Sequence, residues 1–236
     1  MTKIPVGVLG ATGMVGQQYI ALLANHPWFE VRHIAASAAS AGKTFLDATR
    51  GRLLHRDAPL GLTVADAGDV GAAKATGIAF VFSAIELEKS ALRALEEQYA
   101  AAGIPVISNS SAHRWTGDVP MLIAEINPQH CGIITAQRAR RGWDKGFIAV
   151  KPNCSIQSYM TPLWALMRAG YEIQRMIVST MQAVSGAGYP GVPSLDMIDN
   201  LVPFINGEEE KTEQEPLKIF GRIENGEIVN AGLPQI

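Results

Sequence analysis

The sequence predicts an α/β fold, a doubly wound parallel sheet covered by helices on both faces, and three observations carry it. Short β-branched or apolar runs alternate with helical stretches through the first part of the chain. The strand-like runs are apolar nearly throughout rather than alternating, as expected of strands buried on both faces. A glycine-rich turn, "GATGMVG", stands directly after the first run and opens a helix.

In order, "VGVLG" (Val6–Gly10) reads as the first strand and Met14–Ala24 as a helix. "EVRHIAAS" (Glu30–Ser37) is a second strand, and "GIAFVFSA" (Gly77–Ala84) a third. Helical "ELEKSALRALEEQYAAAG" (Glu86–Gly103) follows, then a fourth strand, "IPVISNSS" (Ile104–Ser111). Near residue 150 the pattern changes. A helix from Ser155 to Ala169 puts Ile156, Met160, Leu163, Trp164 and Met167 on one stripe at three- and four-residue spacing. A strand is expected over Arg175–Val184, then a Gly/Pro-rich loop at Ser185–Ser194, an acidic helix start in "NGEEEKTEQEPLKIFG", and a strand-like "EIVNAGLPQI". "QRARRGWDKG" (Gln137–Gly146) reads as an exposed basic connector. Glu208–Glu210 read as the solvated, dipole-compatible first turn of a helix. The expected domains are residues 1–152 and 153–236.

Composition bounds the function. With 47% hydrophobic and 18% charged residues, the chain fits a compact soluble protein rather than a disordered one. A net charge of −2 gives no support for nucleic acid or an anionic membrane as partner. Two cysteines form no disulfide framework, so a reducing, cytoplasmic setting is expected. "MTKIPVGVLGATG" enters a strand at once and lacks the apolar run of a signal peptide. No stretch reaches the roughly 18 apolar residues of a membrane span.

Gly10, Gly13 and Gly16 stand where a Rossmann-type dinucleotide site needs them, in a strand–turn–helix context. Backbone N–H groups there, including those of Thr12, Met14 and Val15, can approach a pyrophosphate at a positive helix end. After the second strand no carboxylate is present to take a ribose. Ser37, Ser40, Gly42 and Lys43 offer hydroxyls, backbone donors and a cation, which suits a 2′-phosphate and favours NADP(H). Cys154, in "KPNCS", is expected at a helix start, where the dipole and free N–H groups stabilise a thiolate, with Lys151 close in sequence. Cys131 has no such setting and reads as structural. His26 and His33 read as structural or surface residues, and His55, His113 and His130 also lie in the nucleotide-binding half.

With the glycine loop, "SAGK", "SNSSAHR", "AEIN", "PNCS" and "QAVSGAGYPG" in this order, the chain resembles the aspartate-semialdehyde dehydrogenase family, most closely its archaeal and fungal branch. The resemblance implies an NADP-binding Rossmann-type domain followed by an α+β catalytic and dimerisation domain. It implies NADPH-dependent reduction of aspartyl phosphate to aspartate semialdehyde in lysine, methionine and threonine biosynthesis, by a homodimer or homotetramer, with a small-molecule substrate and phosphate as ligands. Carried over, Cys154 is the nucleophile, Asn153 its neighbour in the active-site turn, and Gln182 the glutamine beside it. Arg114 binds phosphate, and Asn109 lies near the nicotinamide and phosphate. Glu208 and Lys211 match a substrate-binding acid and a phosphate-binding lysine, within one or two residues of register. Ser83, Ala84, Ser185, Gly186 and Gly188 face the cofactor. His113 is then a loop residue rather than the base.

Two departures bear on this. Ala39 stands where the family often has an arginine, which weakens the 2′-phosphate site. The family's general-base histidine and substrate-carboxylate arginine lie downstream of "NAGLPQI". The expectation is therefore an incomplete catalytic domain, an N-terminal portion with roughly the last third absent and impaired turnover. Malonyl-coenzyme A reductase and N-acetyl-glutamyl-phosphate reductase are alternatives within the same mechanism. A non-catalytic nucleotide-binding or interaction protein is the alternative from another class.

Overall fold

The structure, a computed structural model, describes residues 2–49 and 61–232. His55 lies outside them. The elements are β1 (Ile4–Leu9), α1 (Met14–Leu23), β2 (Phe29–Ala36), α2 (Phe45–Thr49), β3 (Ala65–Asp66), α3 (Val70–Ala75), β4 (Phe80–Ser83), α4 (Lys89–Ala101) and β5 (Val106–Ser108). A 3₁₀ turn at Pro128–Ile133 leads into α5 (Ile134–Arg141), β6 (Ile148–Val150) and α6 (Cys154–Arg168). After a second 3₁₀ turn, Val184–Ala187, come α7 (Ser194–Met197), α8 (Glu208–Ile219), β7 (Arg222–Glu224) and β8 (Glu227–Val229).

Strands β1 to β6 form one parallel sheet in the order β3-β2-β1-β4-β5-β6. The chain winds outward from β1 through β3, then crosses back to β4 and winds the other way. This reversal leaves a crevice at the carboxyl ends of β1 and β4, the place where such sheets bind ligands. Leu9 pairs with Ser83 at that end, so the glycine turn and Ala84 face each other across it.

The two faces of the sheet bury different cores. Val6, Val8, Ile20, Ile34 and Phe45 fill one, extended by an aromatic cluster in which Tyr19 stacks on Phe82 with ring centroids 4.9 Å apart. The other runs from Leu9, Val81, Tyr99, Val106 and Ile148 into Ile156 and Met160 of α6 and Ile219 of α8. The apolar stripe expected on α6 is therefore what seats it: Ile156 and Met160 are buried, with Leu163 and Trp164 packed at the margin. Truncating Met160 to alanine would cost about 2–5 kcal/mol.

The structure corrects two expectations. No strand forms over Arg175–Val184; among the described residues nothing pairs with it, and Ile177 and Met181 are exposed. A β-branched run becomes a strand only where a neighbour accepts its backbone hydrogen bonds. The basic connector is largely helix α5, and Gln137 is buried, donating to the Asp118 and Ile148 carbonyls and accepting from Ile148 N. Its Arg141 grips Asp118 and Glu97. The strand-like tail does contain a strand, β8, as half of a hairpin, and its residues 233–236 lie outside the described residues. Asn225 and Gly226 both have positive φ (51° and 76°), the requirement of a type I′ turn between β7 and β8.

Candidate active site

Cys154 opens α6 directly after β6. Asn153 caps the helix: its Oδ1 accepts from Ser155 N at 3.4 Å and from Cys154 Sγ at 3.2 Å. The thiol is exposed and lies in the first turn of a helix of 15 residues, where unpaired N–H groups favour negative charge. Burial, reinforced by the Arg114 charge, lowers Lys151 from its ordinary value, while Cys154 and Glu215 pull the other way.

Arg114 stands in the loop after β5 and is only 7% exposed. Its Nη1 donates to Glu215 Oε1 at 2.8 Å, and its Nη2 reaches the Asn109 carbonyl only at 3.5 Å. Its Nε is buried without a hydrogen-bond partner among the described residues. An unpaired buried guanidinium donor is costly, and an anion placed beside it would remove the cost. Asn109 is itself held by its N–H, which donates to the Ser83 carbonyl at 2.8 Å.

Helix α8 supplies the opposite wall. Of the three consecutive glutamates in "GEEEK", it is Glu208 that turns inward. Glu208 Oε1 accepts from Ser155 Oγ (2.7 Å) and Gln182 Nε2 (2.9 Å), and Oε2 accepts from Asn153 Nδ2 (2.8 Å). Lys211 Nζ lies 3.6 Å from the same carboxylate. Burial raises the Glu208 carboxyl, but these hydrogen bonds and the Lys211 charge outweigh it and leave it below the usual carboxylate range. Glu215, which accepts from Arg114 Nη1, also accepts from Asn153 N, so Cys154, Asn153, Gln182, Glu208, Lys211, Arg114 and the backbone of Asn109 belong to one connected constellation.

At the crevice, Gly10 has φ +76°, and a Cβ there would sit 2.5 Å from the Ala84 carbonyl oxygen. A Cβ on Gly16 would meet the Gly10 carbonyl at 2.1 Å. Gly13 differs: a Cβ would touch only the Gly10 carbonyl, at 3.4 Å, so the fold itself does not demand glycine there. No side chain caps α1 and no acid occupies its first turn, which leaves the N–H groups around Met14 and Val15 facing the crevice beside Thr12. This open cradle at a positive helix end fits a dinucleotide pyrophosphate.

Ser37, Ser40, Gly42 and Lys43 form the turn after β2; Ser40 N donates to the Ser37 carbonyl and Lys43 Nζ to that of Ala39, at 2.7 Å. Ser83 is buried beneath the crevice. Ser185 and Gly186 lie exposed in the second 3₁₀ turn, and a Cβ on Gly188 would come within 3.1 Å of the Glu86 carboxylate. That loop therefore reaches the segment following β4.

Residues 5–133 match the family described as semialdehyde dehydrogenase, NAD binding domain, and residues 163–232 match its dimerisation domain. The chain belongs to the semialdehyde dehydrogenase family. It is similar to an aspartate-semialdehyde dehydrogenase of Archaeoglobus fulgidus, 45% identical over 231 residues, covering 96% of this chain and 64% of that protein. A Metallosphaera sedula protein named malonyl CoA reductase (NADP) is 36% identical over 220 residues, covering 93% of this chain and 60% of that protein. Among solved structures, aspartate semialdehyde dehydrogenase with NADP from Candida albicans superposes with a TM-score of 0.78 at 32% identity, covering 97% of this chain and 64% of that one. The chain thus spans under two thirds of the length of these relatives.

Around Cys154 the sequence reading missed Glu215, Ser155 and Lys218. The signal was present: Glu208, Lys211, Glu215 and Lys218 recur at three- and four-residue spacing, on the helix face where a packed helix normally carries apolar residues. Among the described histidines, His33 is buried in β2. His113 is buried, 3.2 Å from Thr116 Oγ1 through Nδ1, and burial pushes it down to about 4, with Glu97 acting the other way. His130 bonds Asn127 and the Gly221 carbonyl, and His26 accepts from Trp28 N and Phe29 N. Cys131 is exposed rather than packed.

Proposed function

We propose that this chain serves the NADPH-dependent reduction of L-aspartyl 4-phosphate to L-aspartate 4-semialdehyde through a thioester on Cys154. The observation that carries the reading is Arg114, buried with an unpartnered Nε in one hydrogen-bonded constellation with the Cys154 turn. Residues 1–152 would hold the nucleotide and 153–236 the nucleophile.

The Cys154 thiolate attacks the acyl carbon, a C–S bond forms, and the C–O bond to phosphate breaks with its electrons leaving on phosphate. Arg114 and Lys211 receive that dianion, which positions the substrate and offsets the charge it develops. Glu208, held ionised by its donors, is placed to accept an ammonium group of the substrate. Asn153 and Gln182 keep Glu208 and the sulfur in register. Gly10, Thr12, Gly13, Met14, Val15 and Gly16 would seat NADP(H) at the α1 end, with Ser37, Ser40, Gly42, Lys43, Ser83, Ala84, Ser185, Gly186 and Gly188 around it, and the bound cofactor would supply the hydride. Collapse of the reduced adduct breaks the C–S bond, releases the aldehyde and restores the thiolate.

The family resemblance supports a place in cytoplasmic lysine, methionine and threonine biosynthesis and a homo-oligomeric assembly. The Metallosphaera relative supports a second reading, in which a thioester of malonate and coenzyme A is the acyl donor. Mixing the chain with L-aspartyl 4-phosphate separates the two. The first reading predicts release of one equivalent of inorganic phosphate per chain, abolished in Cys154→Ser, with malonyl-CoA releasing no thiol. Release of coenzyme A without phosphate release would favour the second.

A further inference from the structure

Glu215 carries no role in the mechanism above, yet it is completely buried and touches both halves of the site. Its Oε1 accepts from Arg114 Nη1 at 2.8 Å, and its Oε2 accepts from the backbone N–H of Asn153 at 2.6 Å. One carboxylate therefore joins the anion-binding guanidinium to the turn that presents the sulfur. Both contacts are charge-assisted, and the two oxygens are used for different partners. Three residues further along α8, the buried Lys218 donates to the Arg114 carbonyl at 2.7 Å and the Thr116 carbonyl at 2.8 Å. Helix α8 thus grips Arg114 at its side chain through one residue and at its main chain through another.

The grip is one-sided. A carboxylate free to choose pairs with arginine through two parallel bonds. Here only Nη1 is engaged by Glu215, because Oε2 is committed to Asn153. That leaves Nε buried and unpartnered and Nη2 bonded only weakly. A purely structural ion pair gains nothing from this arrangement, since it strands a buried donor. An anion site gains a guanidinium fixed at one nitrogen with the others kept for ligand.

We infer that Glu215 is a positioning residue: it holds Arg114 by one nitrogen and the Cys154 turn by one N–H, so that the remaining donors of Arg114 face an anion at the sulfur. The inference rests on the reading of Arg114 as the phosphate-binding residue. Because Glu208 and Lys211 lie on the same helix, one rigid element then sets these two groups and Arg114 around the sulfur.

The probe is inorganic phosphate, read by its protection of Cys154 from the neutral alkylating agent iodoacetamide. For the unmodified chain, saturable protection is expected; its absence would refute the phosphate reading of Arg114 itself. Given protection, Glu215→Gln is expected to raise the half-protecting phosphate concentration at least about ten-fold, since ångström-scale misplacement of a binding group costs on that order or more. In an Arg114→Lys background, the same change is expected to shift half-protection by less than about two-fold, because Glu215 acts through Arg114. An unchanged half-protecting concentration in Glu215→Gln, or equal shifts in both backgrounds, overturns the positioning role and leaves the phosphate reading standing. Glu215→Asp keeps the buried charge but cannot span both partners, and the same loss of protection is expected. Full protection in Glu215→Asp, or failure of both variants to fold, assigns Glu215 to structure alone.

Discussion

Replacing Gly13 with alanine separates a ligand-binding turn from a merely tight one. Gly13 has φ −76° and ψ 168°, a conformation any residue adopts, and its added Cβ would approach only the Gly10 carbonyl, at 3.4 Å. The folded state therefore loses little. Alanine is a poorer helix cap than glycine, but it also restricts the unfolded chain by about 0.4–1 kcal/mol, so stability should stay within about 1 kcal/mol. The new methyl group instead enters the space where a pyrophosphate would lie against the α1 end. Displacing the ligand enough to lose one charge-assisted hydrogen bond costs about 1.5–3 kcal/mol, or roughly 10- to 150-fold in Kd. NADPH titration followed by quenching of protein fluorescence gives the Kd, and thermal unfolding gives the stability. Gly16→Ala is the contrast, because its Cβ would lie 2.1 Å from the Gly10 carbonyl and the turn must deform to admit it. Unaltered NADPH affinity in a stable Gly13→Ala protein would refute the reasoning.

Other outcomes follow from the same geometry. Burial pushes His113 down to about 4 in the folded chain, below its ordinary 6.5. The unfolded chain then takes up the proton first as pH falls, and stability is lost between about pH 6.5 and 4, by up to roughly 3 kcal/mol. Urea titrations at pH 7 and 4.5 should show this loss, and His113→Gln should flatten it; equal slopes would remove His113 as the cause. Both cysteines are exposed, so access alone predicts equal labelling. The helix end at Cys154 predicts faster alkylation there than at Cys131 at pH 7, read by peptide mass spectrometry. Equal rates would count against the nucleophile assignment.

Much of the nucleotide half was legible because its signals are local. The run Val6–Gly10, the glycines after it and the apolar runs at β2, β4 and β5 each declare a strand without reference to anything distant. β3 and β6 were not read; a strand of two residues, as β3 is, has no period to detect. Arg175–Val184 misled for the opposite reason: its composition suits a strand, but a ladder needs a partner, and none stands beside it among the described residues. At the site, Cys154, Asn153, Arg114 and Lys211 were recognisable from motif order. Glu215 was hidden because a buried acid inside an acidic helix looks like one more solvated charge until its partners, 62 and 101 residues away in sequence, are brought to it. Gln137 was obscured in the same way by the arginines around it.

The central claim is that the Cys154 sulfur accepts the acyl group. Intact-mass and peptide mass spectrometry of the chain after brief mixing with L-aspartyl 4-phosphate, without reductant and quenched in acid, measures this directly. A single aspartyl adduct is expected on the peptide carrying Cys154, released by hydroxylamine and absent from Cys154→Ser. An unmodified Cys154, or an adduct of equal yield on Cys131, would contradict it.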